Sequence, residues 1–451
     1  MPTDQQTARE TSRRRFLKSS TAIAAGVSIP CLLSHGVVAG DDDAKSKAKN
    51  DRPVLAGIGL GGQGRGDCRR AKQFGDFVAV CDVDRSHADR ANQELATGKA
   101  DVYAEYRKVL DRKDVEVVII ATPDHWHSKI AIEAMQAGKD VYCEKPLTLT
   151  IEEGKQICQV AKKTGAVFQV GTQQRSENNN MFLKAAALGQ AERVGKIRRI
   201  TAIIGGAPSG GPFKVVEAPQ HLDWNTWLGQ TPVVDYIKER CHGNFRWWYE
   251  YSGGKLTDWG AHHVDIAHWV LGAKDTGPVR FEGSANHPVA LKDGYATETN
   301  KYNTATTFRI VCTFASGTEL IITDRTDEHD NGVLVEGDKG RFFVNRGKLV
   351  GSPVEELAQN PLPKDLLAAL AKGKKTGNHM RNFIECVKTR SEPISDVFSH
   401  HRALTTCHLA NICIRLGRGF QWDPKAEQIV GDDDANAWQQ RDQRSGFEIV
   451  V

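Results

Sequence analysis

The chain has 451 residues, 40% hydrophobic and 26% charged, the balance of an ordinary soluble globular protein and a length that allows two domains. Its 60 basic and 56 acidic side chains leave a net charge of only +4, and no basic patch interleaved with aromatics is present, which excludes nucleic acid as the expected partner. Ten cysteines, nine of them after Ala39, show no C-x-x-C pair or zinc-finger spacing, so Cys81, Cys143, Cys312 and Cys407, all in apolar segments, read as buried free thiols.

Residues 12–20 read SRRRFLKSS. Arg13 and Arg14, followed by Phe16, Leu17 and Lys18, match the S/T-R-R-x-F-L-K pattern of bacterial twin-arginine signals. A weakly apolar run from Thr21 to Leu33 follows, broken by Gly26 and Pro30 and too short to span a bilayer. Small residues ending at Ala39 offer a cleavage site. The expectation is a signal peptide over 1–39, the twin-arginine translocation machinery as a partner, and a periplasmic or otherwise exported location. Ile29 and Pro30 make a poor lipobox before Cys31, which argues against a lipid anchor. The charged stretch 40–52 reads as a solvated linker.

From 53 to 173, short β-branched runs alternate with helical patterns, the signature of βαβ units on a parallel sheet. Strands are expected at Val54 to Ile58, Phe77 to Cys81, Val115 to Ala121, Asp140 to Cys143 and Val167 to Val170, with helices between them. The first strand runs into GIGLGGQG, a G-x-G-x-x-G at Gly57, Gly59 and Gly62. Glycines there let backbone N–H groups approach a pyrophosphate at a helix N-terminus. Asp82 ends the second strand, placed to accept hydrogen bonds from both ribose hydroxyls, which favours NAD; Arg85 beside it keeps NADP possible. Two loops then fall at strand C-termini, where open α/β sheets bind ligands: ATPDHWHSKIA, with Thr122, Pro123 and His127, and YCEKPLTLT, with Glu144 and Lys145.

Together GIGLGGQG, the acid of VCDVD, ATPDHWH and above all CEKPLT resemble the Gfo/Idh/MocA oxidoreductases, a family named for glucose–fructose oxidoreductase and inositol dehydrogenase. The resemblance implies an N-terminal Rossmann domain and, over 174–451, a C-terminal α/β domain with a large, mostly antiparallel open sheet whose free face often forms subunit contacts, hence a homo-oligomer. It makes Lys145 the catalytic lysine, with Glu144 and Pro146 shaping the loop around the nicotinamide. A lysine there can stabilise charge building on a substrate oxygen.

Downstream, SGGKLTDWGAHHVDIAHWVLG carries a glycine turn and a helix ending at Gly272. Asp258 and His262 stand four apart, so one helix face is expected to carry both, with the carboxylate orienting the imidazole. The family has this same Asp-x-x-x-His spacing, which adds Asp258 and His262 to Lys145 as a catalytic set; Asp265, one turn on, matches another recurrent acid and is a candidate substrate contact, with a structural role the alternative. No metal is expected: H-E-x-x-H is absent, and the adjacent His262 and His263 cannot both face one ion from an unbroken helix. His263, His268, His400 and His401 read as structural. Five of the nine tryptophans lie between Trp224 and Trp259. Of these, Trp224 and Trp247, with Arg246, are candidates for a sugar's apolar faces and hydroxyls, with simple core packing the alternative.

The sequence thus points to an exported oxidoreductase acting on a sugar, cyclitol or glycoside by hydride transfer to tightly bound NAD. Two rivals stay open: redox-neutral hydrolysis or elimination of a glycoside through transient oxidation, and a carbohydrate-binding protein whose cofactor is only structural.

Overall fold

The computed structural model describes residues 52–451; the signal expected over 1–39 and all but the last residue of the linker lie outside them. The β-branched runs predicted as strands pair into a six-stranded parallel sheet. Its strands are β1 (Val54–Ile58), β2 (Asp76–Cys81), β3 (Asp101–Tyr103), β4 (Val117–Ile120), β5 (Asp140–Cys143) and β6 (Phe168–Val170). They lie in the order 3-2-1-4-5-6. That order reverses direction between β1 and β4, so a crevice opens at their C-terminal ends.

Four helices cover this sheet: α1 (Gly62–Ala71), α2 (Arg85–Ala96), α3 (Asp124–Gln136) and α4 (Ile151–Thr164). Local chemistry sets their ends. Thr150 caps α4 by accepting from the Glu153 N–H, Glu152 and Glu153 occupy its first turn, and Lys162 and Lys163 its last, as the helix dipole favours.

Helix α5 (Met181–Gln190) then leads to a nine-stranded sheet. In chain order its strands are β7 (Ile197–Ile203), β8 (Arg280–Asn286), β9 (Thr307–Thr313), β10 (Glu319–Thr323), β11 (Gly332–Gly337), β12 (Gly340–Val344), β13 (Leu349–Val350), β14 (Phe420–Asp423) and β15 (Gln428–Ile429). They pair in the order 13-12-11-7-10-9-8-14-15, and only the β7–β10 pair is parallel. Strand β9 shows the period-2 logic: Phe308, Ile310 and Cys312 are buried while Arg309 is exposed. Three further helices are α6 (Gly260–Leu271), α7 (His379–Thr389) and α8 (Val397–Leu416). Helix α6 lies between α5 and α8 and also touches β7. Its Val264, Ile266 and Ala267 are fully buried, the valine and isoleucine each contributing roughly 1.5–3 kcal/mol.

The segment 438–450 runs back over the first sheet's helices. Arg441 donates to Glu153 (3.0 Å) and to the His125 carbonyl (3.1 Å). Arg444 holds the carbonyls of Asn225 and Gly229, each at 2.8 Å. The Phe447 ring meets Trp126 edge-on, and Lys129 and Gln136 of α3 donate to the carbonyls of Glu448 and Val450. All nine cysteines among the described residues are free, and Cys81, Cys143, Cys312 and Cys407 are buried. No helix among them is long and apolar enough to cross a membrane.

Candidate active site

The turn after β1 is built from glycine for steric reasons. Gly59 has φ +79°, and a Cβ there would lie 2.5 Å from the Thr122 nitrogen. Gly64, one turn into α1, would put a Cβ 1.9 Å from the Gly59 carbonyl oxygen. So the loop, the helix and the β4 loop approach each other more closely than any side chain permits. Gly64 is a requirement that the G-x-G-x-x-G spacing alone does not single out.

These segments wall a cleft of about 380 Å³, within the roughly 300–1,000 Å³ usual for small-molecule sites. Gly59, Gly62, Asp82, Thr122, Pro123, Trp126, Trp227, His242 and Arg246 are among its lining residues. Several features fit a dinucleotide. Helix α1 begins at this wall with no side chain capping it, leaving its first N–H groups for a phosphate. Thr122 Oγ1 is buried without a partner among the described residues. Asp82 accepts from the backbone N–H groups of Leu60 (2.6 Å) and Asp84 (2.8 Å), which fixes its carboxylate in the lining.

Five expected cofactor contacts lie outside this lining: Gly57, packed against Cys68 and Leu60, Lys145, bonded to Asp258, and Arg85, His127 and Glu144. Arg85 opens α2 and points to solvent, pairing with Asp89 one turn on at 2.8 Å, and is no part of the lining. His127 is buried with its two ring nitrogens on the carbonyl oxygens of Pro146 (2.7 Å) and Thr122 (2.8 Å). It braces the two loops against each other, and burial pushes its pKa down to about 4. Glu144 is buried behind the loop, accepting from Gln173 at 2.6 Å.

The reactive groups meet where the two sheets' loops converge. Lys145 Nζ donates to Asp258 Oδ1 at 2.6 Å and to the Asp258 carbonyl at 3.0 Å, and Arg246 Nε reaches the same Oδ1 at 3.2 Å. Burial opposes ionisation of Asp258, yet the Lys145 and Arg246 charges win and hold its pKa at about 2. The expected Asp258–His262 bond is absent among the contacts of either residue. The physical reason is that Lys145 and Arg246 claim the carboxylate, and the backbone tightens there: Trp259 keeps helical angles, but the His262 N–H bonds the Trp259 carbonyl at 3.0 Å and not that of Asp258, which Lys145 takes. His262 is buried, its Nδ1 unpartnered among the described residues. Burial, then the charges of Lys145 and Arg346, push its pKa well down.

Asp265 is found in the structural of its two expected roles. It is fully buried in a bidentate pair with Arg175, at 2.6 and 2.8 Å, and pins α6 to the segment after β6 instead of meeting substrate. Trp224 stacks on Trp227 at 4.7 Å and donates to the Val234 carbonyl, so it belongs to the core. Trp247 stays half-buried, with Lys255 Nζ 5.9 Å from its ring centre.

Asp124, the first residue of α3, is a group that the spacing did not reveal as reactive. Fully buried and accepting from Ser252 Oγ at 2.5 Å, it is pushed up by burial to about 7 despite the nearby Arg246 charge. Its signal was its place in the first turn after ATP. One trio among the described residues has metal-like spacing: Asp84, His87 and His242. Asp84 is already engaged by the Ser86 N–H and hydroxyl and by His221, and His87 and His242 line the cleft.

Residues 52–172 match the family described as "Oxidoreductase family, NAD-binding Rossmann fold", and residues 211–449 match its "C-terminal alpha/beta domain". The chain belongs to the Gfo/Idh/MocA oxidoreductase family, with an NAD-binding Rossmann domain at its N-terminal side. Among curated relatives, an alpha-N-acetylgalactosaminidase of Shewanella oneidensis is 31% identical over 170 residues, which span 34% of this chain and only 37% of that protein. A scyllo-inositol 2-dehydrogenase (NAD(+)) of Bacillus subtilis is 26% identical over 326 residues, 70% of this chain and 80% of that one. Among solved structures, the WlbA dehydrogenase of Bordetella pertussis, in complex with NADH and UDP-GlcNAcA, shares the fold with a TM-score of 0.59 at 17% identity, covering 82% of this chain and 99% of that one.

Proposed function

We propose that this protein is an exported oxidoreductase that acts on a hydroxyl of a sugar, cyclitol or glycoside. The observation that carries this reading is the Lys145–Asp258 ion pair set next to a buried neutral imidazole. NAD held by the glycine loop, α1 and Asp82 supplies hydride-accepting chemistry. The chain's own groups handle proton and charge. The Lys145 ammonium has three donors, of which Asp258 takes two, so the third is free to hold the reacting oxygen. His262 is neutral at neutral pH and can accept the hydroxyl proton directly; with Nδ1 enclosed, Nε2 is the nitrogen open to a substrate. Arg246 keeps Asp258 ionised, so Lys145 stays fixed while charge moves.

The test supplies candidate glycosides singly, and in pairs with keto-sugars, to protein purified without added NAD. Many turnovers giving one oxidised and one reduced sugar are expected. The similarity to an alpha-N-acetylgalactosaminidase favours a second reading, redox-neutral cleavage, whose mark would be a cleaved glycoside from a single substrate. Neither product nor NADH absorbance with any of them would leave only the binding-protein alternative.

Export remains part of this proposal and rests on Arg13 and Arg14. Replacing both by lysine is expected to strand the protein in the cytosol, since the receptor reads the guanidinium pair. Fractionation that finds the double variant exported at the normal rate would refute the assignment.

A further inference from the structure

Four cations stand around the reactive groups. Lys145, Arg246, Lys255 and Arg346 gather there, and the ionised carboxylate they share, Asp258, is already bonded to the first two. Lys255 and Arg346 have neither an ion-pair partner nor a hydrogen-bond acceptor among the described residues. Both rest on one indole: the Arg346 guanidinium lies 4.7 Å from the Trp259 ring centre and Lys255 Nζ lies 5.8 Å from it. Lys255 arrives from the turn before α6, and Arg346 from the connection between β12 and β13. Segments far apart in sequence thus bring two cations to one ring.

Lys255 is half-buried and Arg346 exposed, so both keep their donors open to a ligand. Partial burial lowers the pKa of each, opposed by Asp258 for Lys255 and by Glu144, Glu177 and Asp258 for Arg346. The ring's face attracts each cation only weakly and does not replace a counter-ion. The other acids close by make their hydrogen bonds elsewhere, Asp124 with Ser252, Glu144 with Gln173 and Glu177 with the His379 N–H, so Glu144 and Glu177 favour the Arg346 charge from a distance without bonding it. The His262 ring meets the same indole edge-on at 5.7 Å, so whatever answers these two charges lies beside the proton acceptor.

We propose that the substrate carries an anionic group, a carboxylate or a phosphate, bound between Lys255 and Arg346 at Trp259. This rests on the carbohydrate reading above and narrows it from neutral sugars to uronates or sugar phosphates. The anion would also offset the Arg346 charge that suppresses proton uptake by His262, so the reaction would favour charged substrates in rate as well as in binding.

The experiment is calorimetric titration of the NAD-loaded protein with glucuronate, galacturonate, glucose 6-phosphate and galactose 6-phosphate, each against its neutral parent sugar. At least one charged member is expected to bind about tenfold or more tightly than its parent, a difference of about 1.4 kcal/mol, and this preference should shrink as salt is raised. Lys255→Gln and Arg346→Gln should each remove most of the preference while melting temperature and NAD content stay unchanged. Uronate and phosphate arms tell the two anions apart. No preference in any pair, no binding by any charged member, or a preference intact in both variants would overturn the proposal. A variant that loses NAD or melts early is replaced by Lys255→Met or Arg346→Lys, the latter expected to restore part of the preference. If charged sugars bind selectively but are never converted, the anion site stands and the oxidoreductase reading falls.

Discussion

Lys145→Ala is expected to remove most turnover, by roughly 10²- to 10⁴-fold, as loss of a positioned proton-handling or charge-stabilising group does, while the protein still carries its NAD. The lysine is absent from the cleft lining that would hold the dinucleotide, so cofactor content should not follow activity. Its loss also takes two donors from Asp258, leaving Arg246 at 3.2 Å as the partner. The carboxyl pKa should then rise from about 2, because burial is less opposed. Acid stability moves accordingly: a depressed carboxylate stabilises the fold above its unfolded pKa and stops doing so as pH falls toward the folded value, so the variant should lose less stability between about pH 4 and pH 2 than the parent. His262→Ala should lower turnover comparably without that acid signature. Normal turnover by Lys145→Ala, measured beside NAD released on denaturation, would reduce the pair to a structural bridge between the two sheets.

Gly64→Ala should abolish NAD retention and cost about 1–3 kcal/mol or more of stability. The added Cβ would meet the Gly59 carbonyl at 1.9 Å, and backbone on both sides leaves little room to yield. Gly62→Ala makes the comparison, since a Cβ there meets no protein atom within 4 Å. That variant should melt like the parent, yet hold NAD less tightly because its methyl stands in the cleft wall. Equal NAD content in Gly64→Ala and the parent, from absorbance of the denatured supernatant, would show that the loop does not seat the pyrophosphate.

The first sheet was readable because its strands are continuous apolar runs flanked by glycine and acid; β5 is found at the expected residues. Strand β3 was not, because three partly exposed residues carry no pattern. Strands β7 and β8 hide for another reason: Arg198 and Arg199 open one, and in β8 Phe281 alone is buried, so their open face reads as loop. At the site, Lys145 and Asp258 were legible from motif and spacing, but their bond to each other was not, since 113 positions separate them. Helical spacing pairs Asp258 with His262 instead, because it does not show that two cations from other segments claim the carboxylate. The role of Asp265 stayed open between substrate contact and structure for the same reason, its partner Arg175 lying 90 positions away. Arg346 bears no motif at all; only the fold of the second sheet carries it to Trp259.

The segment that crosses α3 has a consequence for the order of assembly. Its bonds to the first domain join residues 316 and 319 positions apart, and closures that long form late, after the elements they connect. Trp126, whose ring it buttresses, is also a wall of the cleft. The glycine loop can therefore form early while the wall opposite it is finished last. A dinucleotide that needs both sides selects chains whose folding is complete, and by binding them it draws the folding equilibrium forward. In this architecture the cofactor doubles as a latch on the finished molecule.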